Sequence, residues 1–249
     1  MNRDHRRPFI VIRGLEKSFG PKQVLRGVDL EVFEGETMVV LGGSGEGKSV
    51  LLRHINGLER PDRGEIVVDG QSLNELSEDE LDEVRKKVSM VFQLGALFDS
   101  LTVFGNVAYP LQEHGWTSEA KVRERVHEVL AMVELSGVDD LYPAELSGGM
   151  KKRVALARAL ALEPKAVLYD EPTTGLDPLV THRIDLMIRS LQSRLGFTSV
   201  VVTHDLKSAF KVGDRFALLD RGRIRFSGTA EEVRSTSDEL MREFVMTAL

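Results

Sequence analysis

Residues 41–49 read LGGSGEGKS: Gly42 and Gly47 bracket four residues, and Lys48 and Ser49 follow. Residue types at this spacing suit the holding of a phosphate chain. Glycines let successive backbone N–H groups turn inward toward anionic oxygens. A helix opening at Gly47 adds the partial positive charge of its N-terminus. Lys48 has the reach for β- and γ-phosphates, and the Ser49 hydroxyl can ligate Mg²⁺. The binding loop therefore comprises Gly42, Gly43, Ser44, Gly45, Glu46, Gly47, Lys48, Ser49 and Val50. Alone, the motif says nucleoside triphosphate and no more.

A second stretch, AVLYDEP at 166–172, puts two carboxylates at the end of an apolar run. Asp170 is placed to hold Mg²⁺, directly or through water, and Glu171 to polarise an attacking water. One such acid can simply cap a strand; two beside a phosphate loop point to hydrolysis. Three further residues have both a chemical and a plain reading. Gln93 closes VSMVF and can touch the metal and the water, or be a surface glutamine. His204 closes TSVVVT and can bond a γ-phosphate, because ligands in such sheets sit at strand carboxyl ends, or be a core histidine. Phe19, in KSFG, can stack on adenine or join the core. Finally LSGGM at 146–150 looks like a second phosphate site, with the Ser147 hydroxyl and the backbone of Gly148 and Gly149 opening a helix.

These residues need a scaffold of strands and helices. Residues 9–13 and 28–33 alternate like half-buried strands. The runs at 37–41, 88–92, 165–170 and 198–203 are mostly apolar and suit strands covered on both faces. Residues 215–228 flank an Arg-Gly pair and predict a hairpin. One helix is predicted from Gly47, and another from Thr117 or Ser118, with Val122, Val126, Val129, Leu130 and Val133 on one face. A third follows LSGGM. The spacing predicts a mainly helical insert over 94–157 within an α/β domain spanning 9–228. It leaves 1–8 as a flexible terminus and 229–249 as a C-terminal extension, packed on its own domain or on a partner.

Composition narrows the function classes. A net charge of −6 argues against nucleic acid as the main partner, since a phosphate backbone needs a basic surface. The absence of cysteine removes disulfide frameworks and cysteine-bound metals. No apolar run approaches the roughly 18 residues that span a bilayer. The start, MNRDHRRPF, lacks the apolar core of a secretory signal.

In order and spacing, KSFG, GGSGEGKS, FQ at 92–93, LSGGM, VLYDEP, TGLD at 174–177 and VVTHD resemble the ATP-binding-cassette (ABC) family over about 9–228. The resemblance implies an α/β P-loop NTPase cassette: a RecA-like core, an antiparallel β subdomain and an inserted helical subdomain. Phe19 takes the place of the adenine-stacking residue, Gln93 of the Q-loop glutamine and Asp170 of the Walker B aspartate. Glu171 takes that of the catalytic glutamate, Asp177 of the D-loop aspartate and His204 of the switch histidine. It also implies ATP, Mg²⁺ and a head-to-tail dimer. Ser147, Gly148 and Gly149 then face the partner's ATP, which gives one chain a use for two phosphate sites. Met150 stands where glutamine is usual, and Val50 where threonine usually follows Ser49.

Residues 88–111 and 146–164 resemble the ATPase subunits of Mla/Mce-type lipid transporters. That likeness implies an integral membrane permease, an MCE-domain lipid-binding protein and a place on the cytoplasmic face of the bacterial inner membrane. In it, Leu94, Ala96, Leu97 and Phe98 line a groove for a membrane partner's helix, unless they pack within the helical insert. An ABC ATPase for another cargo, such as amino acids, is the main alternative. A soluble non-transport ABC protein is disfavoured, because the chain has one cassette and no heptad insert.

Overall fold

A computed structural model of the chain describes residues 7–248, so most of the terminus assigned to 1–8 lies outside it. The chain opens with two long strands, β1 (Pro8–Phe19) and β2 (Lys22–Phe33), paired antiparallel. The strand anticipated at 9–13 is thus twice as long, and Phe9 to Ile12 are buried in succession rather than alternately. β3 (Thr37–Leu41) then enters a second sheet and leads through the 42–47 loop to α1 (Lys48–Ile55). β4 (Arg63–Val68) and β5 (Gln71–Ser72) complete the first sheet, in the order β2-β1-β4-β5.

The chain continues through α2 (Glu78–Lys87), β6 (Val88–Val91), α3 (Val103–Glu113), α4 (Glu119–Met132) and α5 (Gly148–Leu160). β7 (Ala166–Asp170), α6 (Pro178–Leu195), β8 (Thr198–Thr203) and α7 (Leu206–Val212) follow. β9 (Arg215–Asp220) and β10 (Arg223–Thr229) form the expected hairpin, and α8 (Ala230–Arg234) and α9 (Glu239–Ala248) close the chain. α2 is polar and buries only Leu81 and Val84; a capping box between Ser77 and Glu80 marks its start. In the 94–157 interval α3, α4 and the start of α5 supply the helix, while 94–102 and 133–147 carry no α-helix. Ser118, not Thr117, caps α4, and Val122, Val126, Val129, Leu130 and Val133 are all buried as anticipated.

The larger sheet runs β10-β9-β3-β8-β7-β6, with β9, β3, β8, β7 and β6 parallel. Its central strands divide their side chains between two cores. Val39, Leu41, Val167, Tyr169 and Val201 face the helices of the 103–160 region and α6. Met38, Val40, Ala166, Leu168, Val200 and Val202 face α1 and the antiparallel sheet. Period-two side-chain alternation with both faces covered yields unbroken apolar runs in sequence. α9 buries Met241 against its own domain, while Met246 stands 74% exposed near its end. No helix among the described residues is long and apolar enough to cross a membrane.

Candidate functional site

Four parallel strands deliver the chemistry to one end of the sheet. β3 runs into the phosphate loop, β6 into Gln93, β7 into Asp170 and Glu171, and β8 into His204. Helices cover both faces of the sheet, so the carboxyl ends are where a ligand can enter. A cleft of ≈ 470 Å³ opens there, within the size range of small-molecule sites. Ser44, Gly45, Gly47, Lys48, Ser49, Val50, Gln93, Glu171 and His204 all line it. Lys22 and Val24 join them from β2, which the motif spacing does not announce.

Lys48 is the hub. Its Nζ donates to the carbonyls of Gly42 and Gly43, both at 2.9 Å, and lies 3.5 Å from Glu171 Oε1. The loop is held by a close approach: a Cβ on Gly42 would stand 2.5 Å from the Leu219 carbonyl oxygen. Only glycine fits against that backbone. Gly47 caps α1 in a left-handed conformation, φ 102°, so the helix starts at Lys48 rather than at Gly47. The Glu46 carboxylate accepts from the Arg221 backbone N–H and so turns to the β9–β10 hairpin, away from the cleft.

The two carboxylates differ in environment. Ser49 Oγ donates to Asp170 Oδ1 at 2.8 Å, pairing the two oxygens assigned to Mg²⁺. Burial raises the Asp170 carboxyl above its usual range; the Ser49 hydrogen bond opposes this and the Glu171 charge adds to it. Burial pushes Glu171 up as well, but it is outweighed. His204 Nδ1 lies 2.6 Å from Glu171 Oε2 and Thr174 Oγ1 donates to the same oxygen at 2.7 Å. These bonds, with the charges of His204 and Lys48, hold Glu171 below the ordinary carboxylate range, so it stays an acceptor at neutral pH. Glu171 also has φ 49°, a left-handed backbone that costs a non-glycine residue about 1–2 kcal/mol. Sparsely populated backbone of this kind gathers at working sites.

Several predicted residues stand apart from the cleft. Ser147 caps α5 and accepts from the Met150 N–H at 3.3 Å; it is exposed, as is Gly148. Asp177 caps α6 and accepts from Leu179 and Val180 N–H, both at 3.0 Å. The two caps adjoin, since a Cβ on Gly149 would stand 2.8 Å from Val180 Cγ1. None of Ser147, Gly148, Gly149 and Asp177 lines the cleft of its own chain. Phe19 ends β1 with 45% exposure, paired across the hairpin with Lys22 of the cleft wall. Lys17 sits over its ring at 5.3 Å. Met150 packs against the helical core, so it contributes bulk rather than a polar contact. Met150→Gln keeps the side-chain length and should change the turnover rate by less than about tenfold, read in a steady-state ATPase assay. A larger loss would give this methionine a role beyond packing.

Two residues with consequences for the site are invisible to motif reading. Lys152 is 9% exposed and donates to the Gln93 carbonyl, 59 residues away. Burial pushes its ammonium below the usual lysine range, and the charges of Asp170 and Glu171 pull it back. Arg158 donates to the carbonyls of Gly95 and Ala96, both at 2.7 Å. The helix that Ser147 caps therefore carries the 93–96 segment on its flank. The KKR run after LSGGM announces cations but not their acceptors. Within this segment Leu94 is 90% exposed; beyond it Leu97 packs inward, and the Phe98 and Tyr109 rings meet at a tilt with centroids 4.7 Å apart.

A family model described as ABC transporter matches residues 25–174. A methionine import ATP-binding protein, MetN, from Carboxydothermus hydrogenoformans is 43% identical over 245 residues, 97% of this chain and 72% of that protein. A probable ribonucleotide transport ATP-binding protein, mkl, from Mycobacterium tuberculosis is 41% identical over 95% of this chain and 66% of its own length. Among solved structures, the dimeric post-hydrolysis ATP-binding cassette MJ0796, bound to ADP and Pi, superposes with TM-score 0.81 at 36% identity, covering 88% of this chain and 98% of that one. CbiO1 from Clostridium perfringens, part of the ABC transporter complex cbiONQ, gives 0.83 at 28% identity over 97% and 99%.

Proposed function

This chain belongs to the ABC transporter family, and on that footing we propose that two copies pair head to tail around ATP and drive a membrane permease by hydrolysing it. The observation that carries this reading is the placement of Glu171. It sits in the cleft between Lys48, Thr174 and His204, with its charge retained and its backbone strained. In the proposed cycle Lys48 leaves the loop carbonyls for the β- and γ-phosphates. Gly42 to Val50 cradle the triphosphate, and Phe19 stacks on adenine. Glu171 polarises the attacking water, and His204 bonds the γ-phosphate while holding Glu171. Ser49, Asp170 and Gln93 present hard oxygen atoms, a donor set that fits Mg²⁺ bound by one carboxylate, a hydroxyl and phosphates. When bound, Mg²⁺ neutralises charge on the phosphates. Ser147, Gly148, Gly149 and Asp177 serve the partner's nucleotide. Their position outside the cleft of their own chain supports this, and the cassette neighbour bound to ADP and Pi is itself dimeric.

For cargo, we propose phospholipids or related lipids, moved by a complex at the cytoplasmic face of a bacterial inner membrane. This rests on the likeness of residues 88–111 and 146–164 to Mla/Mce-type ATPases, and it brings an MCE-domain protein as a further partner. The exposed Leu94 and the Phe98–Tyr109 pair offer the permease an apolar contact. A second reading, amino-acid import, is favoured by the 43% identity to a methionine import protein. The cassette binds ATP and not cargo, so its own residues bear on this choice only indirectly. Purification of the chain from its native membrane separates the readings. Recovery with a permease, an MCE-domain protein and bound phospholipid is the expected result. Recovery with an amino-acid-binding system would move the cargo to the second reading.

A further inference from the structure

Among the described residues, His204 is tied to the site by a single residue pair, its 2.6 Å contact with Glu171, and its side chain is 60% exposed. Its position must therefore be set from behind. α7 begins two residues later, so the first turn of α7 fixes the backbone that carries His204. Asp205 caps that turn, accepting from Lys207 and Ser208 N–H at 2.8 and 3.2 Å, and its own N–H donates to Thr203 Oγ1 at 3.0 Å. The turn is anchored in turn to α6. Ser208 Oγ lies 2.9 Å from Asp185 Oδ2 and 3.2 Å from Asp205 Oδ2. A hydroxyl has one proton to donate, and the shorter contact is to Asp185. Lys211 Nζ reaches the same Asp185 oxygen at 3.1 Å.

Asp185 is 1% exposed and Ser208 4%, so this is a buried polar link between two helices. Burying a carboxylate is costly, and an apolar side chain would join the helices at lower cost. The link closes a circuit. Glu171 runs through 172–177 into α6, α6 holds α7 through Asp185 and Ser208, and His204 at the head of α7 returns to Glu171.

We propose that Asp185 and Ser208 are positioning residues that hold His204 in register with Glu171, so that a shift of the Asp177 end of α6 is passed to the catalytic pair. The proposal rests on the role given above to His204. Its test is steady-state ATPase turnover and nucleotide binding in the full chain. Ser208→Ala and Asp185→Ala should each lower kcat by about 10- to 100-fold, the range reached when a reacting group is misplaced from a distance. ATP affinity should stay within about twofold, because neither residue lines the cleft. Asp185→Asn retains an acceptor for Ser208 and should recover most of the rate. In a His204→Ala background, Ser208→Ala should change kcat by less than about twofold, since residues acting through one group are not additive.

Wild-type turnover in both Ser208→Ala and Asp185→Ala would overturn the proposal. So would the same fold loss from Ser208→Ala with or without His204, which is what a merely structural link gives. Wild-type turnover in His204→Ala alone would instead remove the premise about His204. Should Ser208→Ala fail to fold, Asp185→Asn against Asp185→Ala decides the point by rescue.

Discussion

Glu171→Gln should bind ATP with near-native affinity, lose turnover by about 10²–10⁴-fold, and accumulate as an ATP-bound dimer. The substitution preserves shape and the Thr174 hydrogen bond to the side-chain oxygen, so the loop should keep its form. What it removes is the acceptor for a water proton and the negative charge facing Lys48 and His204. Binding depends chiefly on the loop backbone and Lys48, which are untouched. With hydrolysis blocked and binding intact, ATP bridges the two copies without release, a shift of population toward the closed dimer. Size-exclusion chromatography with and without ATP, beside a phosphate-release assay, reads both halves. A Glu171→Gln protein that turns over at the native rate would remove this residue from the hydrolytic step.

Ser147→Arg should nearly abolish turnover while leaving the ATP affinity of the isolated monomer unchanged. Loss of one preorganised donor to a reacting anion costs about 10²–10³ in rate, and a bulky side chain also crowds the phosphate it would face. The separation of effects is the informative part. Ser147 is exposed, caps its own helix, and lies outside the cleft of its own chain. A residue so placed has no route to the nucleotide bound by the same copy. Mixing the Ser147→Arg chain with a Lys48→Ala chain should restore turnover in part, because one of the two composite sites is then intact. Weakened ATP binding by the Ser147→Arg monomer would contradict the assignment in trans.

What could be read from the sequence alone follows from how local each feature is. The phosphate loop and the 166–172 segment are contiguous, and their residue types dictate local backbone, so both were legible. The central strands were legible because covering both faces leaves an unbroken apolar run. α2 was not, since its burial amounts to Leu81 and Val84; only its Ser77–Glu80 cap announces it. β4 hides because its partner is some fifty residues back on β1, and the two-residue β5 is defined only by its pairing with β4. Lys22 and Val24 entered the cleft through the β1–β2 hairpin, whose pairing no motif encodes. Lys152 could be seen only once its acceptor, across 59 residues, was in place. Glu46 shows the converse. It lies inside a strong motif, yet its side chain answers to a hairpin at the far end of the chain.

The helix α5 sets Ser147, Lys152 and Arg158 at fixed offsets on one rod, about 20 Å long for its 13 residues. Lys152 and Arg158 grip the carbonyls of Gln93 and of Gly95 and Ala96, and Ser147 is the residue proposed to face the partner. A loop can swallow an extra residue; a helix cannot, because one insertion turns everything beyond it by about 100°. Over evolutionary time this segment should therefore vary by substitution and not by length. Indels should collect instead in the open turn around 114–117, where a Cβ on Gly115 would meet nothing within 4 Å.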